Sequence, residues 1–399
     1  MTGPSLPPEV ELLLCCARTQ MDAESAGRLL HLTAGEIDWV VVDRLARHHR
    51  LVPLLYRNLK ATVPQAVPDD VLCQFHGRFT EITRRNLRWT SELQRIIALL
   101  QAHDIPAVPY KGPALAAALY GSLVLRQFRD LDILVRRADA PRANDLLLEA
   151  GYRPQFDFGG VPQEILLRNR HHFNLVHESG SPIVELHYDI LARLHDFRID
   201  LDRLWAGLEP LEIAGTTVTT FPPEDWLLIL CVHGGIHRWK RLHWLCDVAE
   251  LIRAHPGLGW ARILDRAEAL GTQRMFLLGV FLAGDLCGAT LPEEIRRAAQ
   301  TDRAVPALGA QIREQFGRDP EADFGAGEFH LFRLRARERW RDRVRYCLAV
   351  VATATPAEFA IVSLPRPLWF LYGLLRPVRL AGKHGLGPLR RIIPTSRTP

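Results

Sequence analysis

No C-x-x-C pair occurs in this sequence. Its seven cysteines, an odd number, stand at positions 15, 16, 73, 231, 246, 287 and 347. That pattern argues against a disulfide framework and against a cysteine-rich zinc site, and it fits a reducing compartment. No run of about 20 apolar residues is present, so no membrane-spanning helix is expected. The nearest approach, Phe359 to Leu375, is interrupted by Pro365, Arg366 and Pro367. The first eight residues lack a basic segment leading into an apolar one, so no signal peptide is expected and the expected location is cytoplasmic. Charge of one sign is also scarce. Fifty basic residues against 45 acidic ones leave a formal net charge of +5 over 399 residues. That excess does not by itself imply nucleic-acid binding, although it tolerates a polyanionic substrate. The kinase catalytic-loop pattern H-R-D-x-x-x-x-N is missing, which counts against phosphotransfer. There is no H-E-x-x-H, no internal repeat and no low-complexity tract.

What is present is an ordinary soluble composition, 48% hydrophobic and 24% charged, in a chain long enough for two or three domains. Four regions are expected: helical 1–103, an α/β core over 104–222, helical 223–384 and a loose tail over 385–399. In the first, Glu9 to Cys16 and Ile37 to Leu59 carry apolar residues at helical spacing, with a break at Pro53. Asp70 to Ala102 reads as one or two further helices. The pattern changes at Asp104. Ile105 to Tyr110 predicts a short strand, placed at a sheet edge by Pro106 and Pro109. Pro113 opens a helix running to Tyr120. Leu131 to Val135 is a strand, and Ala140 to Ala150 a helix closed by Gly151. His171 to His177 and Ile183 to Tyr188 predict a hairpin turned at Glu178-Ser179-Gly180-Ser181. A second hairpin-like stretch covers Leu211 to Phe221. Helices are then expected over Asp225 to His233, Leu242 to Ala254, Trp260 to Leu270 and Gln273 to Leu286. A loop is expected over 316–328, and one basic amphipathic helix from Phe329 to Val351.

The chemistry concentrates at Arg129-Asp130-Leu131-Asp132-Ile133-Leu134-Val135. Alternate residues of a strand share a face, so Asp130 and Asp132 point the same way. Unpaired, two such carboxylates repel. A divalent cation relieves the conflict, since Mg²⁺ takes one or two carboxylates together with substrate phosphates. Upstream, Tyr110-Lys111-Gly112-Pro113 stands at the mouth of a helix. Backbone N–H groups there attract phosphate, glycine permits close approach, and Lys111 adds a cation. Gly121-Ser122 is a second turn at tolerable spacing, but Lys111-Gly112 has the strand before it and the helix after it. Glu185, in Ile183-Val184-Glu185-Leu186-His187-Tyr188, is the candidate third carboxylate. The apolar residues 184 and 186 put Glu185 and His187 on the opposite face together.

Strand, glycine turn, helix and a strand with D-x-D resemble the core unit of the polymerase-β-like nucleotidyltransferases. The resemblance sharpens when more of the chain is read. Lys111-Gly112, Tyr120, Arg126, Asp130 to Val135 and Gly151-Tyr152 are followed by Glu185-Leu186-His187. After these comes His233-x-x-x-His237-x-Trp239-x-Arg241-Leu242-x-Trp244-x-x-Asp247. Over roughly residues 30–350 this looks like the uncharacterised nucleotidyltransferase family of bacteria. The resemblance implies an α+β fold with a polymerase-β-like core flanked by helical regions. It also implies transfer of an NMP group from an NTP, ATP being the expected one, to an acceptor it does not identify.

The expected roles follow. Asp130, Asp132 and Glu185 hold Mg²⁺ or Mn²⁺, and Lys111, Gly112, Arg126 and His187 attend the nucleotide. Simpler roles stand beside these. The aspartates could sit on a solvated strand end, and Glu185 could pair an arginine. Lys111 could face solvent, Arg126 could pair Asp130 or Asp132, and His187 could make a structural hydrogen bond. His171 and His172 are candidate cleft residues. His233 and His237 have metal-ligand spacing, but Gly234-Gly235 between them favours a helix end with both histidines and Trp239 packed toward the cleft. Asp247 either bridges an arginine or faces the acceptor. The run Arg333 to Arg345 reads as a solvated helix face. Phe359 to Leu375 reads as a segment docked on its own protein. The rival to catalysis is a silent nucleotide- or partner-binding module of the same fold, suggested by Arg129 beside the metal pair.

Overall fold

The computed structural model describes residues 6–155, 171–178, 180, 182–190, 199–318 and 325–352. The apolar stretch Phe359 to Leu375, the tail over 385–399, and Ser179 and Ser181 of the expected turn lie outside the described residues. Among those described, no helix is long and apolar enough to cross a membrane.

Helices come first: α1 (Pro8–Cys16), α2 (Ala23–Thr33), α3 (Trp39–His49), α4 (Val52–Thr62) and the 33-residue α5 (Asp69–Gln101). Asp22 and Asp38 cap α2 and α3 by accepting backbone N–H groups of their first turns. The α2 helix lies within the region expected to be helical, where the sequence reading gave it no bounds of its own. The expected break at Pro53 falls earlier, because Arg50 adopts a left-handed conformation (φ 59°) that ends α3, and Pro53 sits in the first turn of α4, where its missing N–H costs nothing.

A five-stranded mixed sheet follows. Its strands are β1 (Ala107–Pro109), β2 (Asp130–Val135), β3 (Tyr152–Pro154), β4 (His172–His177) and β5 (Ile183–His187), ordered β1-β2-β5-β4-β3. Strand β1, preceded by Pro106 and ending in Pro109, is at the edge, where a missing amide donor is tolerated. Strand β2 pairs antiparallel with β1 and parallel with β5, and β4 is antiparallel to β5. Leu131, Ile133, Leu134 and Val135 are buried, the near-continuous apolar run of an inner strand. Helix α6 (Pro113–Tyr120) joins β1 to the loop before β2, and α7 (Ala140–Glu149) follows β2. After α8 (Leu201–Ala206), strands β6 (Glu209–Ile213) and β7 (Thr216–Thr220) form a separate hairpin, docked where Thr220 Oγ1 donates to the Pro109 carbonyl at 2.8 Å.

The chain then returns to helix: α9 (Pro223–Ile236), α10 (Leu242–Ala254), α11 (Trp260–Leu270), α12 (Gln273–Cys287), α13 (Glu293–Thr301) and α14 (Ala304–Phe316). These pack on the N-terminal helices. Thr19 Oγ1 donates to Glu250 at 2.5 Å, and the Leu242 N–H donates to His49 Nδ1 at 3.3 Å.

The single helix expected from Phe329 to Val351 is two, α15 (Ala326–Arg335) and α16 (Trp340–Ala352). The break sits at Arg337, which is fully buried, donates to the Arg333 carbonyl at 2.7 Å and stacks its guanidinium 4.1 Å from the Tyr346 ring centre. Arg333 is buried as well and donates to the Ile236 carbonyl at 2.9 Å. The run Arg333 to Arg345 is therefore not simply a solvated face.

Candidate active site

The site begins with the pairing of β2 and β5. In their parallel register Asp132 stands directly across from Glu185. The next register brings His172 of β4 across from His187 of β5. Cross-strand partners share a face, so the carboxylates and imidazoles gather on one side of the sheet. There they line a cleft of about 320 Å³, closed from above by α9 and α10.

Within it, His187 Nε2 lies 3.2 Å from Asp132 Oδ1 and 3.3 Å from Glu185 Oε2. Lys111 Nζ donates to the same Asp132 oxygen at 2.9 Å. Burial works against the charge on Asp132, yet the Lys111 ammonium and His187 hold its carboxyl well below the usual carboxylate range. The same contacts outweigh burial at His187 and raise its basicity, while His187 draws Glu185 downward against its own burial. Asp130 is treated differently. Burial, with Asp132 and Glu185 nearby, pushes it up to about 6, against the pull of Arg50 and Lys111. Asp132, Glu185 and His187 offer ligand atoms within 4.8 Å of one another, a group that does not include Asp130.

The turn above the carboxylates is built by glycine. Gly112 has φ 54° and ψ −123°, which side chains avoid, and a Cβ there would lie 3.1 Å from the Asp130 carbonyl oxygen. The close approach that demands glycine is thus to the protein's own β2. Gly121, the alternative turn, ends α6 at its far side. Lys111 faces Asp132 rather than solvent.

Arg126 is spent on Asp247. Its Nε and Nη2 donate to the two carboxylate oxygens at 2.7 and 2.8 Å, and Tyr120 donates to the same group at 2.7 Å. Asp247 is fully buried, so it bridges an arginine and does not face an acceptor. Neither Asp130 nor Asp132 is the partner of Arg126. The remaining Nη1 reaches the Gly112 carbonyl at 3.5 Å, tying this buried pair to the turn. Asn86 of α5 holds the same loop by donating to the Leu123 and Arg126 carbonyls, both at 2.9 Å.

His171, His172, His233 and His237 all line the cleft. Trp244 packs 5.2 and 5.5 Å from the His233 and His237 rings. Burial keeps His233 well below the ordinary imidazole range and takes His237 down to about 4. Trp239 corrects the expectation that it packs toward the cleft. It turns back and is buried over Gly234, where a Cβ would come within 2.3 Å of the indole. Gly234 makes room for that ring, while Gly235 faces Met275. Arg129 is exposed and is not part of the cleft lining. Two titratable lining residues had no sequence signal pointing to the site: Arg50, from the end of α3, and His243, from α10.

A mixed sheet with D-x-D on one strand, a glutamate level with it on a parallel neighbour, and a glycine turn opening a helix above both defines an α+β nucleotidyltransferase core. The profile of a family described as uncharacterised nucleotidyltransferase matches residues 35–288, well over half of the chain, and the chain belongs to that family. The match ends short of the span to residue 350 expected from the sequence. A comparison with curated proteins gives no match.

Proposed function

We propose that the protein transfers a nucleoside monophosphate from an NTP, with ATP the expected donor, to an acceptor hydroxyl or phosphate, in a metal-dependent reaction. The observation that carries this reading is Asp132 facing Glu185 across paired parallel strands, directly beneath the Lys111–Gly112 turn. The donor set suits a hard dication. Burial and then the two neighbouring carboxylates push Asp130 upward, and that shortage of positive charge is what such an ion relieves. Asp130, Asp132 and Glu185 would hold Mg²⁺ or Mn²⁺. When bound, the ion would supply charge to the triphosphate and acidify the attacking hydroxyl. The acceptor oxygen forms a bond to the α-phosphorus, the α–β bridging bond breaks, and pyrophosphate leaves. Glu185 takes the acceptor proton. Lys111 and the Gly112 N–H orient the outer phosphates, while Arg126 fixes the turn from behind. His187 holds Asp132 and Glu185 in their relative positions.

The test is incubation with α-labelled NTPs, Mg²⁺ or Mn²⁺ and cell extract, comparing wild type with Asp130→Ala and Asp132→Ala. Labelling should fall in both variants by at least about two orders of magnitude, the scale on which charge stabilisation of a transition state is lost. Equal labelling in all three would overturn the assignment. A silent binding module remains a second reading, because Lys111 and His187 already neutralise Asp132. It predicts nucleotide binding with no pyrophosphate release.

A further inference from the structure

Three imidazoles share a corner of the cleft, and of them the nucleotidyl-transfer reading uses only His187, through the nitrogen that faces Asp132 and Glu185. The His171, His172 and His187 rings lie 4.2, 4.8 and 5.5 Å apart by their centres, and one potential ligand nitrogen of each lies within 4.8 Å of the others. His172 and His187 are cross-strand partners. His171 precedes β4, where its carbonyl accepts the Tyr188 and Asp189 N–H groups, and it too faces the cleft. His187 is nine-tenths buried or more, at 2% exposed. Its Nε2 is committed to Asp132 and Glu185, but its Nδ1 is buried and has no hydrogen-bond partner among the described residues. An imidazole fixed by carboxylates at one nitrogen and open at the other is how ligating histidines are held.

We propose that His171, His172 and His187 form a site for a borderline divalent transition cation, Zn²⁺ by class, beside the carboxylate cluster. Three imidazoles are a poor donor set for Mg²⁺, which seeks oxygen, and a good one for Zn²⁺ or Co²⁺. Three protein ligands leave a fourth position toward the cleft for water or an oxygen of the acceptor. The site would stand whether or not the carboxylates carry out nucleotidyl transfer, since it concerns binding alone.

The probe is Co²⁺, added to the full chain without nucleotide and with Mg²⁺ in large excess. A saturable visible absorption of four-coordinate cobalt, displaced by Zn²⁺ and not by Mg²⁺, is expected. His171→Gln and His172→Gln should each weaken binding at least about tenfold, which is what losing even a hydrogen-bond partner of a ligand costs. Circular dichroism establishes that the variants are folded. Independently of any variant, pulsed electron paramagnetic resonance of Cu²⁺ in the wild-type chain should count three coupled imidazoles. No saturable band, displacement by Mg²⁺, affinity unchanged in both variants, or fewer than three imidazoles at copper would each overturn the site.

Discussion

Asp247 and Arg126 show how much of the site's geometry rests on a single buried pair. Asp247 accepts from Arg126 and Tyr120 with no exposure, and the guanidinium reaches on to the Gly112 carbonyl. Removing one partner of a buried pair strands the other charge, which costs about 3–5 kcal/mol. Asp247→Asn is expected to lower stability by that amount in urea unfolding. The double variant Arg126→Met with Asp247→Leu should recover much of it, because no charge is left uncompensated. At Gly112 the backbone itself decides. Gly112→Ala places a Cβ against the Asp130 carbonyl at φ 54°, and about 1–3 kcal/mol of destabilisation is expected in the same measurement. The sequence identified Gly112 correctly as a demanding position. The reason it is demanding, proximity to β2, requires a neighbour 18 residues away.

At the scale of elements, periodicity was a good guide wherever an element buries one clear face. The helices α10 (Leu242–Ala254) and α11 (Trp260–Leu270) lie where their apolar spacing put them, and the edge position of β1 follows from its prolines. No separate helix was delimited for α2, although it lies inside the 1–103 region expected to be helical. The expected Phe329–Val351 helix did fail. Its arginines suggested a solvated face, yet Arg333 and Arg337 have aromatic rings and carbonyls to bury against. Helix α9 carries a related case. Gly234→Ala would drive a Cβ into Trp239, and about 1–3 kcal/mol of overpacking is expected, read as a lowered thermal midpoint. Adding Trp239→Leu should relieve part of that strain while opening space under α9.

Across the whole molecule, buried imidazoles set a pH dependence. Burial lowers His49, His233 and His243 well below the ordinary value and takes His237 to about 4. Unfolding frees each to take up a proton once the pH drops below about 6.5, so stability falls with falling pH, by about 1.4 kcal/mol per pH unit for each. His187, raised by Asp132 and Glu185 against its burial, acts in the opposite sense above about 6.5, and so does Asp130, pushed up to about 6. Asp130 takes its proton in the folded state first, and offsets one of the four between about 6 and about 4. Urea midpoints should therefore decline from about pH 6.5 to about pH 5, and His49→Gln with His243→Gln should flatten the decline. A midpoint that rises over that interval would contradict the burial of these rings.

What the sequence determined by itself is the local order: D-x-D on a strand, a glycine turn before it, a glutamate and histidine alternating on a later strand, and the family these mark. Such features follow from the two-residue period of a strand and the backbone freedom of glycine, both of which act within a few residues. The tertiary structure alone decided who meets whom. It gave Arg126 to Asp247, 121 residues away, brought Arg50 from α3 to the carboxylates, and set His172 across from His187. Local periodicity fixes the face a side chain takes in its own element. Partners across the fold are fixed only when distant elements pack.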